Sequence, residues 1–258
     1  MPRYFLELSF KGTKFSGWQI QDNANSVQAE INQALTVLGG KPTECVGCGR
    51  TDTGVHALQF FAHFDLKEMK EEQQFLFQLN SILPLDIVIH QLHPLHEDAH
   101  ARYDARARTY QYFIHQSKNP FINEYSWHRS YDFDLKKMNE ACHLLFAHED
   151  FSCFSKSNNQ QKTNLCTITK AEWTKQNELL VFTITANRFL RGMVRAIVGT
   201  LLQVGTDKMS VDEFNEVLIK GDRKEAGASV PALGLFLTKI VYPFLETSTP
   251  PITLFNQL

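Results

Sequence analysis

Within Gly47-Cys48-Gly49-Arg50-Thr51-Asp52-Thr53-Gly54-Val55-His56-Ala57 one carboxylate, Asp52, stands two residues from one guanidinium, Arg50, in a segment that carries three glycines. Glycine accepts positive φ and close backbone approach, so Gly47, Gly49 and Gly54 predict a tight turn with open space above it and Asp52 at its centre. A carboxylate ionises near pKa 3.9 in water, and a neighbouring guanidinium keeps it charged in a cleft that otherwise disfavours charge. That is how a reactive residue is presented. The same residues also suit an Asx-type turn in which Asp52 only accepts bonds from its own loop amides while Arg50 is solvated. Both readings stay open on the loop alone.

Other groups compete for attention. His96-Glu97-Asp98-Ala99-His100 satisfies H-E-x-x-H, in which a helix aligns two imidazoles on a zinc ion and the glutamate serves as base. Its context is poor: Pro94 interrupts the lead-in, the flanks lack helical apolar spacing, and no third-ligand pattern follows. Cys45 and Cys48 have C-x-x-C spacing with no second pair, and the alternation from Thr43 to Cys48 reads as a small strand. There is no G-x-S-x-G elbow, no phosphate-binding G-x-x-x-x-G-K-[ST] loop and no dinucleotide G-x-G-x-x-G after a strand. Arginine interleaves with aromatic residues in two places. Arg102, Arg106 and Arg108 lie beside Tyr103, Tyr110 and Tyr112, and Arg188, Arg191 and Arg195 lie in an acid-free stretch from Asn187 to Thr206. Such clusters suit phosphate and base contacts, and they equally describe solvated helix faces.

The elements that must carry these groups follow from periodicity. Tyr4, Leu6, Leu8 and Phe10 alternate as a strand over Arg3 to Phe10. A helix capped by Asn25 or Ser26 carries Val27, Ile31 and Leu35 and stops at Gly39-Gly40. After the glycine loop come a strand from Ala57 to Asp65, a helix from about Glu68 to Ile82 and a strand from Asp86 to Leu92. A similar order repeats: a strand from Thr109 to His115, then a helix capped at Asp134. A hairpin of Cys166 to Trp173 and Leu179 to Ala186 turns at Gln176-Asn177, and a helix runs from Phe189 to Val204. A further helix opens on the capping box Ser210-Val211-Asp212-Glu213, and a strand from Leu233 to Val241 ends before Pro243. The fold class is α+β, with two comparable halves, 1–105 and 106–245, packed side by side around a cleft, and a tail over 246–258.

With 258 residues, 43% of them hydrophobic, the chain can fill a sizeable core. Its N-terminus lacks a signal-peptide pattern and no stretch matches a membrane span, so a cytosolic protein is expected. Five scattered cysteines do not form a disulfide framework. A net charge of −2 argues against a protein that coats nucleic acid nonspecifically, while leaving room for a local basic surface.

Gly49-Arg50-Thr51-Asp52-Thr53-Gly54-Val55-His56-Ala57 resembles the catalytic loop of the tRNA pseudouridine synthase A family, usually G-R-T-D-A-G-V-H-A, with Thr53 where alanine is commoner. Ala105 to Tyr112 resembles the strand that bears the family's active-site tyrosine, which falls on Tyr110. Asn187 to Gly199 resembles its arginine helix, with Arg195 at the active-site position, and Val230 to Tyr242 resembles its closing apolar strand. The resemblance runs from about Arg3 to Tyr242. It implies the pseudouridine synthase fold, a homodimer, tRNA as partner, no membrane, no metal and no cofactor. It also implies isomerisation of uridine in the anticodon stem-loop at positions 38, 39 and 40. Asp52 would be the nucleophile or stabilise the C1′ fragment, Arg195 would pair with it, and Tyr110 would pack on the uracil and assist the proton transfer that follows C5 attachment. Arg50, Arg106, Arg188 and Arg191 would contact RNA, and Leu235 or Leu237 would floor the pocket. A noncatalytic RNA-binding module and a zinc hydrolase built on His96 and His100 are the alternatives.

Overall fold

The computed structural model describes residues 1–67, 69, 71–156 and 163–245. The expected tail over 246–258 lies outside the described residues. The chain divides into two compact units, one of residues 1–106 with the segment that begins at Phe236, the other of residues 107–235.

In the first unit β1 (Arg3–Phe10) takes the strand its alternation predicts, and α1 (Val27–Gly39) follows. Ser26 caps α1 by accepting from the Ala29 amide, and Gly40 closes it at φ 65°, a left-handed turn that glycine makes without a Cβ penalty. The strand expected over Thr43 to Cys48 shrinks to β2 (Val46–Gly47), because the Cys45 amide is drawn to the Asn32 side chain of α1 instead of a neighbouring strand. β3 (His56–Asp65) is buried along nearly its whole length. α2 is Glu72–Ile82, the start expected at about Glu68 lying outside the described residues, and β4 (Ile87–Leu95) extends past Leu92 through Pro94. A proline fits there because β4 pairs with β1 on one side, where Pro94 needs to donate nothing outward.

β1 is antiparallel to both β3 and β4. Its Glu7 is 3% exposed, accepts from Gln59 Nε2 of β3 at 2.7 Å and lies 3.1 Å from the His93 ring of β4. A buried carboxylate must be bonded or it destabilises the fold, so this polar contact fixes the register that three apolar strands would leave loose. Phe5, Leu6, Leu8, Phe60 and Phe64 fill the surrounding core.

The second unit begins with β5 (Ala107–His115), which pairs in parallel with the short β6 (Trp127–His128). Asp134 caps α3 (Leu135–Leu144) through the Lys137 amide, and the hairpin of β7 (Ile168–Gln176) and β8 (Leu179–Ala186) turns through Asn177 at φ 53°. β8 is antiparallel to both β5 and β7. α4 (Met193–Gly205) starts four residues later than its apolar spacing predicts, because Gly192 sits at φ 74° and resets the backbone after Arg191. The capping box at Ser210 opens α5 (Val211–Lys220) as expected. Phe151, Phe154, Phe182 and Phe214 form the core beneath these helices. β9 (Leu235–Val241), shortened by a single turn over Ala232–Gly234, runs parallel to β3 at His56–Ala57 and so returns the chain to the first unit. The result is α+β, with helices against mixed strands.

Candidate active site

Asp52 sits half-buried in a loop whose shape is set by the segment Gly12 to Trp18 as much as by the loop's own glycines. The Trp18 amide donates to Thr51 O and the Gly54 amide to Phe15 O, both at 3.4 Å, and the Val55 amide closes the turn onto Asp52 O at 3.2 Å. A Cβ on Gly17, which has φ 87°, would lie 2.2 Å from Thr51 O, and one on Gly12 would lie 1.9 Å from Val55 O. Neither distance admits a side chain. Among the loop's own glycines, Gly47 makes room for the Trp18 indole and Gly54 supplies φ 78°, while Gly49 faces open space. Arg50 is exposed, beside the half-buried carboxylate in sequence.

His56 ends the loop and is structural. It is 1% exposed, its Nδ1 accepts from the Gly12 amide at 3.1 Å, and its ring stacks on Phe236 of β9 at 4.5 Å. Leu237 follows Phe236 and is buried opposite Ala57. Arg106, at the end of this unit, is exposed while its amide donates to Val241 O.

The second unit carries Tyr110, Arg188, Arg191, Arg195 and Leu235. Tyr110 is half-buried on β5, opposite Ile184, in an edge-to-face contact with the Phe189 ring at 5.2 Å and 90°. Arg195 lies in the first turn of α4 and is locked to the strap before β9: its Nε donates to Val230 O at 2.6 Å, and the Val230 amide donates to Arg195 O at 3.2 Å. The strap reaches the helix because two glycines permit it. A Cβ on Gly199 would meet Ala228 O at 1.9 Å, and one on Gly227 would meet the Gly199 carbonyl at 2.9 Å. Tyr112, two residues along β5, is fully buried and donates from Oη to Pro231 O at 2.9 Å. Burial drives its hydroxyl pKa far up, against the opposing charge of Arg195, so it stays a neutral donor. Arg188 is half-buried, Arg191 exposed and Leu235 buried. The strap carbonyl and Tyr112 escape a sequence reading. A carbonyl has no residue signature, and two tyrosines in Tyr-x-Tyr look alike until burial separates them.

The H-E-x-x-H segment is no helix. His96 to Ala99 forms a turn, closed by the Ala99 amide on His96 O at 3.0 Å. His100 Nδ1 accepts from the amides of Arg102 and Tyr103 at 3.1 and 3.3 Å, a local cap that takes one of the two nitrogens a metal would use. Burial pushes the Cys45 thiol up to about 12, away from the thiolate that zinc or redox chemistry needs.

A family model described as tRNA pseudouridine synthase matches residues 141–243. The curated tRNA pseudouridine synthase A of Parabacteroides distasonis is 47% identical over 244 residues, covering 94% of this chain and 97% of its own. The chain belongs to the tRNA pseudouridine synthase A family. The Bacteroides thetaiotaomicron relative of the same name is 46% identical over 94% of this chain, and that of Thermoanaerobacter pseudethanolicus 36% identical over 94%.

Proposed function

We propose that this chain isomerises uridine to pseudouridine in tRNA, in the anticodon stem-loop at positions 38, 39 and 40, with no cofactor. The observation that carries the reading is Asp52, half-buried at the centre of a loop that Gly12, Gly17, Gly47 and Gly54 hold in one shape, in a chain of this family. The N1–C1′ bond breaks, the uracil turns, C5 joins C1′, the proton on C5 leaves to solvent and N1 takes up a proton in its place. Every heavy atom of the new nucleoside comes from the old one, so no external group donor is needed beside a positioned carboxylate. Asp52 serves as nucleophile or stabilises the C1′ fragment. Arg195, its guanidinium oriented by the bond to Val230 O, is the cation that pairs with Asp52 in this reading.

Tyr110 packs on the uracil, and its hydroxyl stands ready for the proton transfer that follows C5 attachment. Leu235 and Leu237 floor the pocket, and Arg50, Arg106, Arg188 and Arg191 contact the RNA. A stacked uridine must be flipped out to reach Asp52, at about a few kcal/mol, which phosphate contacts offset. In this reading the halves 1–105 and 106–245 frame the catalytic cleft, and the enzyme works as a cytosolic homodimer.

Asp52→Asn tests the centre of the proposal. The amide keeps the shape and loses the charge, so release of tritium from tRNA labelled at uridine C5 should fall by more than about a hundredfold while tRNA affinity holds. Turnover near that of the unmodified chain would end the assignment.

A further inference from the structure

A largely apolar and aromatic cavity lies in the unit of residues 107–235, with Arg129 on its wall. Its volume is about 350 Å3, and Trp127, Phe133, Gln203, Lys208 and Val230 share the lining. The Arg129 guanidinium lies 4.7 Å from the Trp127 ring and 4.8 Å from the Tyr131 ring. Held by two rings, a guanidinium keeps its faces covered and offers its in-plane N–H edge, the fork that matches two oxygens of a phosphate. Among the described residues Nε of Arg129 is buried without a hydrogen-bond partner, an arrangement that native structures avoid unless something else supplies the acceptor.

Charge and size narrow the occupant. Lys208 is exposed at the rim and no carboxylate lines the cavity. The nearest acids in sequence are Asp132, exposed between Tyr131 and Phe133, and Asp134 and Asp207, which both pair with Lys137. The charged side chains on the wall itself are Arg129 and Lys208, both cationic. A phosphate alone would leave most of the volume unfilled, whereas the apolar wall of Phe133, Leu202 and Val230 can take a base and sugar. We propose that this cavity binds one unpaired nucleotide of the tRNA, its phosphodiester on Arg129 and Lys208 and its base against the aromatic wall. The proposal rests on tRNA being the substrate. It adds a contact apart from Asp52, Tyr110 and Arg195, and it shares a wall with the strap, since Val230 lines the cavity and accepts the Arg195 bond.

The test compares the full-length chain with Arg129→Lys, which keeps the charge and loses the fork, and with Lys208→Ala, an exposed change that leaves the core intact. Each variant should raise the tRNA dissociation constant by about fivefold. Alkylating single tRNA phosphates should reveal one position whose modification weakens binding to the unmodified chain and has no further effect on either variant. Wild-type affinity for both variants, or an unchanged interference pattern, overturns the proposal. So does loss of self-association in sedimentation without a change in the interference pattern, which would make the cavity a contact between copies of the chain. Tritium release by the unmodified chain is measured alongside. If it occurs and the variants bind normally, the cavity alone is misassigned; if it does not occur, the substrate reading falls first.

Discussion

Tyr110 and Tyr112 project from the same face of β5, since strand side chains repeat every second residue, yet the fold uses them differently. Tyr112 is fully buried and holds the strap through Pro231, while Tyr110 is half-buried and crosses the Phe189 ring at 90°. A ring that must stack on a base cannot be fully buried, a condition that Tyr112 fails. Tyr110→Phe retains that ring and removes the hydroxyl, whereas Tyr110→Ala removes both. If the hydroxyl moves the proton from C5, Phe should lower the single-turnover rate by about a hundredfold with little change in the tRNA dissociation constant. Equal rates for Phe and the unmodified chain would leave Tyr110 a stacking role only. The pairing of Tyr110 with that role was legible only through family resemblance. Residue types alone offered Tyr103, Tyr110 and Tyr112 equally, and burial is what tells them apart.

The Asp52 loop depends on an element that no motif marks. The turn at Gly12–Lys14 and the residues up to Trp18 press against it so closely that Gly17 has no room for a methyl group. Gly17→Ala would need φ 87° for an L residue and would push Thr51, the neighbour of Asp52. Chemical denaturation should show a loss on the order of 1–3 kcal/mol, with turnover falling as the loop moves. Gly49→Ala should stay within about 0.5 kcal/mol, because no atom lies near its Cβ position. Equal stability for the two variants would refute the brace. Legibility divides along the same line. The caps at Ser26, Asp134 and Ser210 were readable because a cap is settled within four residues of chain. The brace joins residues about forty positions apart, and Gly12 and Gly17 look like ordinary loop glycines until the backbone they touch is in place. The start of α4 is hidden from the sequence for a related reason: apolar spacing continues through Phe189 and Leu190, and only the left-handed Gly192 shows that the helix has not begun.

Across the molecule, burial sets how the fold meets acid. It lowers His63 to about 4, reinforced by Arg3 and His100 and opposed by Asp65 and Asp104, and it also lowers His90, His100 and His115. The unfolded chain takes protons on these rings near pH 6.5, while the native chain resists. Below that pH the unfolded state binds more protons, so stability falls as pH drops toward about 4, and above pH 7 these rings add no pH dependence. His63→Gln, which keeps an acceptor for the Ala101 amide, should flatten the decline in melting temperature between pH 7 and 5. An unchanged slope would remove His63 from the account. The second whole-molecule question is how a chain of net charge −2 holds a polyanion, and it turns on where the arginines stand. Arg191 is exposed and Arg188 half-buried just ahead of α4, whereas Arg195 is committed through Nε to Val230 O. Charges that neutralise phosphates release counterions, so the log of tRNA affinity should fall by roughly 0.7 to 0.9 per contact for each decade of salt. Arg188→Ala and Arg191→Ala should each lower that slope by about one and weaken all tRNAs alike. Arg195→Ala should behave otherwise under the proposed pairing with Asp52: turnover should collapse while the slope holds. A binding titration over several salt concentrations separates the two, and a slope untouched by both Arg188→Ala and Arg191→Ala would move the RNA path elsewhere on the chain.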